Sequence, residues 1–422
     1  MRVISQLCNS VELPKMIKIK QTFEREEIAP DAIPDVVRNE LNKNRDQFRP
    51  GMSIAVTCGS RGIANISIII KAVIGCLKKY QTRPFVTAAM GSHGGATDEG
   101  QRRVLADFGI TEEYLDCPVR SSMETVYVGN TEEGEPVYID KYAAEADGIL
   151  VCGRIKAHTS FRGEYESGLM KMMTVGLGKQ QGADAFHSMG IEHMAERLPQ
   201  FGNAILKNCS IVYGLGIIEN AYEKTYRLIG MLPEEIPVRE PELLMEAKKM
   251  MGKLYFDHAD VIVVDEMGKN ISGDGMDPNI TGKYPSPYLT GSISTQHLVV
   301  LDLTEESHGN ANGLGCANVT TRRLYGKLDM DATYPNAITS TALWAVKIPI
   351  VAASDKEAIQ IAVKACTGAG RKNPRIIRIK NTLDIGEIYI SEALLEEAKR
   401  HPKIEIISEL QKWDFNEQGN LF

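Results

Sequence analysis

Four basic side chains stand at glycine-rich positions in the first half of the chain: His93 in GSHGGATDEG, His158 in GRIKAH, Lys171 in GLMKMMTVGLGK and His187 in QGADAFHSMG. Lys171 is wedged between Leu169, Met170, Met172 and Met173, where an amine either snorkels its charge to an edge or has chemistry to do. A desolvated amine is the better nucleophile, so the chemical option is a covalent link to a carbonyl group or cofactor. For an isolated residue snorkelling is the commoner case. The glycines Gly168, Gly176 and Gly178 around it, and His187 further along the same stretch, favour chemistry.

His93 sits among Gly91, Gly94 and Gly95, where missing side chains let a ligand approach the backbone. Thr97, Asp98 and Glu99 follow it and read as a helix start whose free N–H groups suit an anion; the plain alternative is a turn histidine. His158 follows a strand and opens the polar loop TSFRGEYESG, with Arg162, Glu164, Tyr165 and Glu166; the plain alternative is a surface histidine beside ordinary charges. Two histidines on separate loops over one pocket suit opposed acid and base work on the two faces of a carbon or hydroxyl. His187 and His193 lack the spacing of an HExxH zinc motif.

The elements that must position these residues alternate. The β-branched runs MSIAVTCG, RPFVTAAMG, DGILVCGRI, CSIVYGLGII, DVIVVDEMG, HLVVLDLT, IPIVAA, RIIRIK and IEIIS are separated by helical spacing, the pattern of an α/β protein with mostly parallel sheets flanked by helices. SIIIKAVIGCLKKY, apolar on one face and basic at its end, reads as a crossover helix. In such sheets ligands collect beyond the carboxyl ends of strands. The candidate residues stand there: Arg61 in CGSRG, His93, His158, and Lys269 in MGKNISGDGMDPN. The segment LPEEIPVREPELLMEAKKMMGK reads as the passage between two domains, 1–256 and 257–422, with the active site expected in the cleft between them. The aromatic-anchored end SELQKWDFNEQGNLF is expected to pack back onto a domain, the N-terminal one being the candidate.

Two domains also suit a chain of 422 residues. No window approaches the roughly 18 apolar residues of a membrane span, and the N-terminus has no signal-peptide pattern, so a cytoplasmic address is expected. Cys8, Cys58, Cys76, Cys117, Cys152, Cys209, Cys316 and Cys366 form no CxxC pair, which argues against a disulfide framework and a zinc knuckle. A net charge of -7 without a basic run points away from nucleic acid and toward a small-molecule partner. Neither GxxxxGK[ST] nor a full dinucleotide fingerprint occurs, so ATP and NAD have no direct support. The oligomeric state is open.

In order and nearly in spacing, His93, His158, Lys171 and His187, together with Arg61 in VTCGSRGI, resemble the nickel-pincer lactate racemase family. The resemblance covers roughly residues 50 to 200. It implies a nickel-pincer nucleotide, a pyridinium-3-thioamide-5-thiocarboxylic acid mononucleotide gripping Ni(II), tethered through Lys171, with His187 as a nickel ligand. Soft sulfur and one imidazole in a square plane suit that ion. It further implies racemisation or epimerisation of a 2-hydroxy acid, with His93 and His158 as the two proton-transfer residues and the cofactor carrying the redox step. Arg61 and Lys269 would contact cofactor phosphate or substrate carboxylate. The N-terminal domain would tether the cofactor and the C-terminal domain would close the cleft.

The sequence departs from the family around Arg61, where Cys58, Gly59, Ser60 and Gly62 replace an Asp-x-Thr-Arg-Pro-like pattern, and in FRGEYESG, which replaces an FSGG-like loop and is longer. MGKNISGDGMDPN is not the lactate enzymes' motif either. A substrate larger or differently polar than lactate is expected. Two other readings stay open: a metal-dependent hydrolase or lyase with His93, His158 and His187 as direct ligands, and a non-catalytic cofactor-binding homologue.

Overall fold

The computed structural model describes residues 3–422 except Arg61, Pro287, Tyr288 and Thr290. The chain divides into two compact units: Arg25–Met251 with Thr339–Thr341, and the remainder, which joins the chain up to Glu24 with Gly252–Ile338 and Ala342–Phe422. Fold class is as the alternation predicts, α/β with mostly parallel sheets. Each of the nine β-branched runs contains a strand.

Among the described residues, the first unit holds a six-stranded sheet in the order Val119–Arg120, Arg83–Ala88, Ser53–Cys58, Gly148–Arg154, Ile211–Glu219, Thr225–Met231. Its pairings are parallel until the last, which is antiparallel. Central strands such as Ser53–Cys58 and Gly148–Arg154 are buried along almost their whole length, because helices cover both faces of a parallel sheet. The crossover helix is Ile66–Lys79. It buries Ile66, Ile69, Ile70, Val73, Ile74 and Leu77 at helical spacing and places Lys78 and Lys79 at its carboxyl end, where the helix dipole favours cations.

The other unit carries an eight-stranded sheet. Five parallel strands, Ile350–Ala352, Val319–Thr321, Ser294–Leu303, His258–Met267 and Ile376–Ile379, are extended by three antiparallel ones, Glu387–Ser391, Met16–Gln21 and Ile404–Ile406. Here the expected domain limits need correction. Residues 16–21 lie between two strands of the C-terminal part, with Ile19 opposite both Ile388 and Ile406, so the start of the chain folds with that unit and not with residues 25–251. The far end behaves likewise. Trp413 donates to the Pro14 carbonyl at 3.0 Å, and Trp413, Phe415 and Leu421 pack on a cluster containing Val261, Val299 and Ile359. The tail therefore packs on its own unit, not on the N-terminal one.

The segment read as a passage is a helix, Ile236–Met250, belonging wholly to the first unit. The chain crosses at Met251–Gly252. Pro237 stands in the first turn, where its missing N–H has no intrahelical partner to lose, and Ile236, Glu240, Leu243, Leu244 and Ala247 form a buried stripe. Proline content suggested a linker; apolar spacing made a packed helix.

Ile19 is wholly buried within the eight-stranded sheet. Ile19→Ala is expected to destabilise that unit by about 2–4 kcal/mol. Lys20→Ala, half-buried in the same strand, should cost less than about 1 kcal/mol. Urea unfolding followed by far-ultraviolet circular dichroism measures both; equal losses would contradict the register.

Candidate active site

His93, His158, Lys171 and His187 all lie in the first unit, past the carboxyl ends of its parallel strands or on the helical segments that follow. Strand Arg83–Ala88 leads to the His93 loop and Gly148–Arg154 to the His158 loop. The expected helix start after His93 is present: Thr97 caps Asp98–Asp107 by accepting from the Gly100 N–H at 3.1 Å. Nδ1 of His93 meets the Ser60 hydroxyl. Arg61 lies outside the described residues.

The His158 loop is pinched shut by paired backbone bonds between Lys156 and Ser167, at 2.9 and 3.2 Å. Within it, the His158 N–H donates to Glu166 Oε2 at 2.6 Å, and the His158 carbonyl accepts from Arg162 Nη1 at 2.6 Å. The ring lies 4.3 Å from Phe161, and its Nδ1 accepts from the Ser160 N–H at 2.9 Å. Glu166 is buried and also takes Lys248 Nζ, from the Ile236–Met250 helix, at 2.7 Å. Arg162 and Glu166, read from the sequence as loop charges, thus hold a histidine in place.

Lys171 does not snorkel past its methionines: its Nζ meets His158 Nε2. It ends the short helix Leu169–Lys171, after which the chain widens into a π-type turn, with the Leu177 N–H reaching back to the Met172 carbonyl at 2.9 Å. Such turns concentrate at functional sites. The glycine density around Lys171 has a packing cause. A Cβ on Gly176 would stand 2.8 Å from the Ala89 carbonyl oxygen, and one on Gly168 would stand 2.1 Å from Glu240 Oε1. Gly176 thereby lets the His93 loop dock backbone to backbone on the turn, where the Gly91 N–H donates to the Gly176 carbonyl at 3.1 Å.

Glu240, hidden within the segment read as a linker, is buried. Its Oε2 accepts from the Leu169 and Met170 N–H groups at 2.9 and 3.0 Å, capping the helix that bears Lys171, while Oε1 has no hydrogen-bond partner among the described residues. Burial pushes its carboxyl up to about 7, against the two backbone donors that favour the charged form.

His187 closes the helix Lys179–His187 and is almost fully buried. Its Nδ1 lies 2.7 Å from the Ala183 carbonyl, which only accepts, so Nδ1 carries the proton and Nε2 keeps a lone pair. Burial above all pushes its pKa down to about 4. The ring is neutral at physiological pH, as a metal ligand must be.

Sequence reasoning missed the groups beneath the site. Lys179, Asp140, Gln101 and Thr87 are all fully buried. Lys179 Nζ lies 3.2 Å from Asp140 Oδ2, donates to Gln101 Oε1 at 2.9 Å, and meets the Ala88 carbonyl. Gln101 in turn donates to the Gly91 and His93 carbonyls at 2.8 and 3.2 Å. Burial raises the Asp140 pKa and lowers that of Lys179, and each opposes the shift of the other. The one available signal was a charged residue directly after the glycines of VGLGK.

Lys269 follows strand His258–Met267 in the other unit, and its Nζ donates to the Gly273 carbonyl at 2.5 Å. Asp277, in the same loop, caps a helical turn by accepting from the Asn279 N–H at 2.9 Å. Among the described residues no group of three His, Cys, Asp or Glu side chains is placed to hold a metal ion, so His93, His158 and His187 do not form the all-protein cage of the hydrolase alternative. Among the described residues no helix is long and apolar enough to cross a membrane.

Fold and site together define an α/β protein of two units in which a lysine and three histidines follow strands of one mostly parallel sheet, with the lysine against one of the histidines. Residues 9–198 match the model of the lactate racemase N-terminal domain. Among solved structures, the lactate racemase apoprotein from Thermoanaerobacterium thermosaccharolyticum is similar at a TM-score of 0.54 and 12% identity, over 87% of this chain and 99% of that one. A Thermotoga maritima protein solved by a structural genomics consortium is similar at 0.51 and 14% identity, over 66% and 72%. These likenesses concern the fold. No curated protein matches the sequence.

Glu240 makes stability depend on pH. Its folded pKa of about 7 lies above the ordinary carboxylate range near 4.3, so the folded chain holds the extra proton between the two values. The resulting stability is full below about pH 4 and is lost as pH rises through about 7, amounting to up to about 3 kcal/mol. Glu240→Gln is expected to flatten this fall between pH 5 and 7.5 in urea unfolding. An unchanged fall would assign it to other groups.

Proposed function

We propose that the chain is a racemase or epimerase of a 2-hydroxy acid, an isomerase that works with a nickel-pincer nucleotide tethered through Lys171. The observation that carries the proposal is the placement of Lys171 Nζ against His158, with a neutral His187 whose Nε2 lone pair is unprotonated, in a stretch that matches the lactate racemase N-terminal domain model. The residues fit the group. A soft sulfur-bearing nickel site asks the protein for a reactive amine and one neutral imidazole, and Lys171 and His187 supply those types. When bound, the group would supply the redox chemistry at carbon 2, reversible hydride exchange that the side chains present cannot provide.

The chain's own residues bind, orient and move the hydroxyl proton. His93, turned by Ser60 at Nδ1, and His158, turned by Ser160, serve as the two proton-transfer residues, one for each enantiomer. The Ala183 carbonyl fixes the ring of His187 as a ligand. Arg61 and Lys269 contact the cofactor phosphate or the substrate carboxylate in this proposal.

A substrate other than lactate remains part of the proposal, now resting on the altered surroundings of Arg61. Arg162 and Glu166 support His158 from within and do not by themselves mark a more polar substrate. The setting proposed is cytoplasmic and the partner a small molecule, with no role for nucleic acid or membrane.

Co-production with the pincer-synthesising enzymes and nickel tests the reading. Intact mass and the visible spectrum are expected to show a covalent adduct with nickel-linked absorption, both absent in Lys171→Ala, while His187→Ala retains the adduct and loses nickel. An unmodified protein, under conditions that load a lactate racemase, would sink the assignment. His93→Ala and His158→Ala should keep the adduct and lose proton exchange and inversion at carbon 2 across a panel of hydroxy acids and sugar acids. Function that survives both substitutions would mark a non-catalytic cofactor-binding protein.

A further inference from the structure

Two histidines flank Lys171 in the chain and in space, and the backbone fixes their ring protons differently. At His187 the Ala183 carbonyl calls for a proton on Nδ1. At His158 the group facing Nδ1 is the Ser160 N–H, which only donates. Nδ1 must then keep its lone pair, and since a neutral imidazole carries a single ring hydrogen, that hydrogen sits on Nε2. A charged imidazolium would set an Nδ1–H directly against the Ser160 N–H.

Nε2 is the atom that meets Lys171 Nζ. An ammonium has three donors and no acceptor, so against a ring N–H it would leave donor facing donor. The contact is a hydrogen bond only if the amine brings a lone pair. We propose that Lys171 is held as an uncharged amine accepting from the Nε2–H of His158, and that the Ser160 N–H enforces this by occupying Nδ1. The inference deepens the proposed function, resting on it only for what the amine would react with.

The ring has little freedom to escape this arrangement. Its residue is tied at the backbone N–H by Glu166 and at the carbonyl by Arg162, and the ring face lies on Phe161. Glu166, the carboxylate at the root of the loop, is engaged by Lys248 and Arg162 as well as by the His158 N–H, and Glu240 is engaged by the Leu169 and Met170 N–H groups. An uncharged amine is the state in which a lysine forms a covalent link to a carbonyl-type carbon. The same contact therefore keeps Lys171 ready before any group is attached.

The test uses the full-length protein as produced, with neither nickel nor the pincer group. Long-range proton–nitrogen correlation on ¹⁵N-histidine-labelled protein reads each ring. The expected result is His158 protonated at Nε2 alone and His187 at Nδ1 alone. In parallel, limited acetylation with the N-hydroxysuccinimide ester of acetic acid near pH 7.5, read by peptide mass spectrometry, reports amine reactivity. An ordinary lysine is uncharged in only about one molecule in a thousand near that pH. Lys171 is expected to react about tenfold or more faster than the exposed Lys207 and Lys249. His158→Phe, which removes the donor, and Ser160→Pro, which removes the backbone N–H, should each bring Lys171 down to their rate.

A doubly protonated or Nδ1-protonated His158, or a Lys171 that acetylates no faster than Lys207 in the unaltered protein, would overturn the proposal. Both decisive readings come from the wild-type chain, so a variant that fails to fold does not blunt them. Failure to load the nickel cofactor would refute the proposed function and leave these readings standing. A loaded protein with an ordinary ammonium at Lys171 would do the reverse.

Discussion

A lysine and an aspartate with no solvent exposure face each other across 3.2 Å beneath the candidate site, and its geometry depends on that pair. Lys179 is where three pieces of chain meet. It begins the helix that ends in His187, it stands three residues beyond the π-type turn Met172–Gly176 that follows Lys171, and through Gln101 and the Ala88 carbonyl it grips the loop that bears His93. Removing one partner of such a buried pair leaves an uncompensated charge in a dry interior, typically about 3–5 kcal/mol, so the surrounding chain is bound to the arrangement that satisfies both. Lys179 even adopts a positive φ of 53°, a backbone state that a lysine keeps only when its neighbours over-determine it.

A second support comes from the helix Ile236–Met250. Glu240 reaches the first turn of the helix bearing Lys171, and Lys248, two turns on, reaches Glu166, which holds the backbone of His158. One helix thus sets both the lysine and the histidine that meet at Nζ and Nε2. This separates the two kinds of charge in the unit. His93, His158 and His187 are each held at Nδ1 by a hydroxyl or a backbone group and Lys171 meets the His158 ring, whereas Glu166, Glu240, Lys179 and Asp140 are spent on holding the chain around them. The high folded pKa of Glu240 is the visible cost of placing a carboxyl in that supporting role.

The candidate residues stand out in the sequence and the groups that hold them do not, for a physical reason. His93, His158, Lys171 and His187 belong to segments with a local signature: glycines that permit close approach, strand ends that collect ligands, and an amine in an apolar run. Glu240 had the opposite signature, a charge among prolines and lysines, which locally means a solvated linker. Only the packing of Ile236, Leu243, Leu244 and Ala247 against the first unit turns that segment into a buried helix. Glu166 was likewise hidden in a loop whose charges read as surface.

What the sequence by itself determined is the alternation of strands and helices, the parallel core, and the identity and order of the residues that could do chemistry. These follow from periodicity and from side-chain type, which are properties of short stretches. Tertiary structure alone decided that residues 16–21 insert between strands near the far end of the chain, that the last residues stay with that unit, and which backbone groups face the Nδ1 atoms of His158 and His187. Those outcomes depend on partners hundreds of residues away in one case and on the direction of single backbone N–H and carbonyl groups in the other. Neither leaves a mark in local pattern, because a hydrogen bond's polarity and a strand's neighbour exist only once the chain has folded.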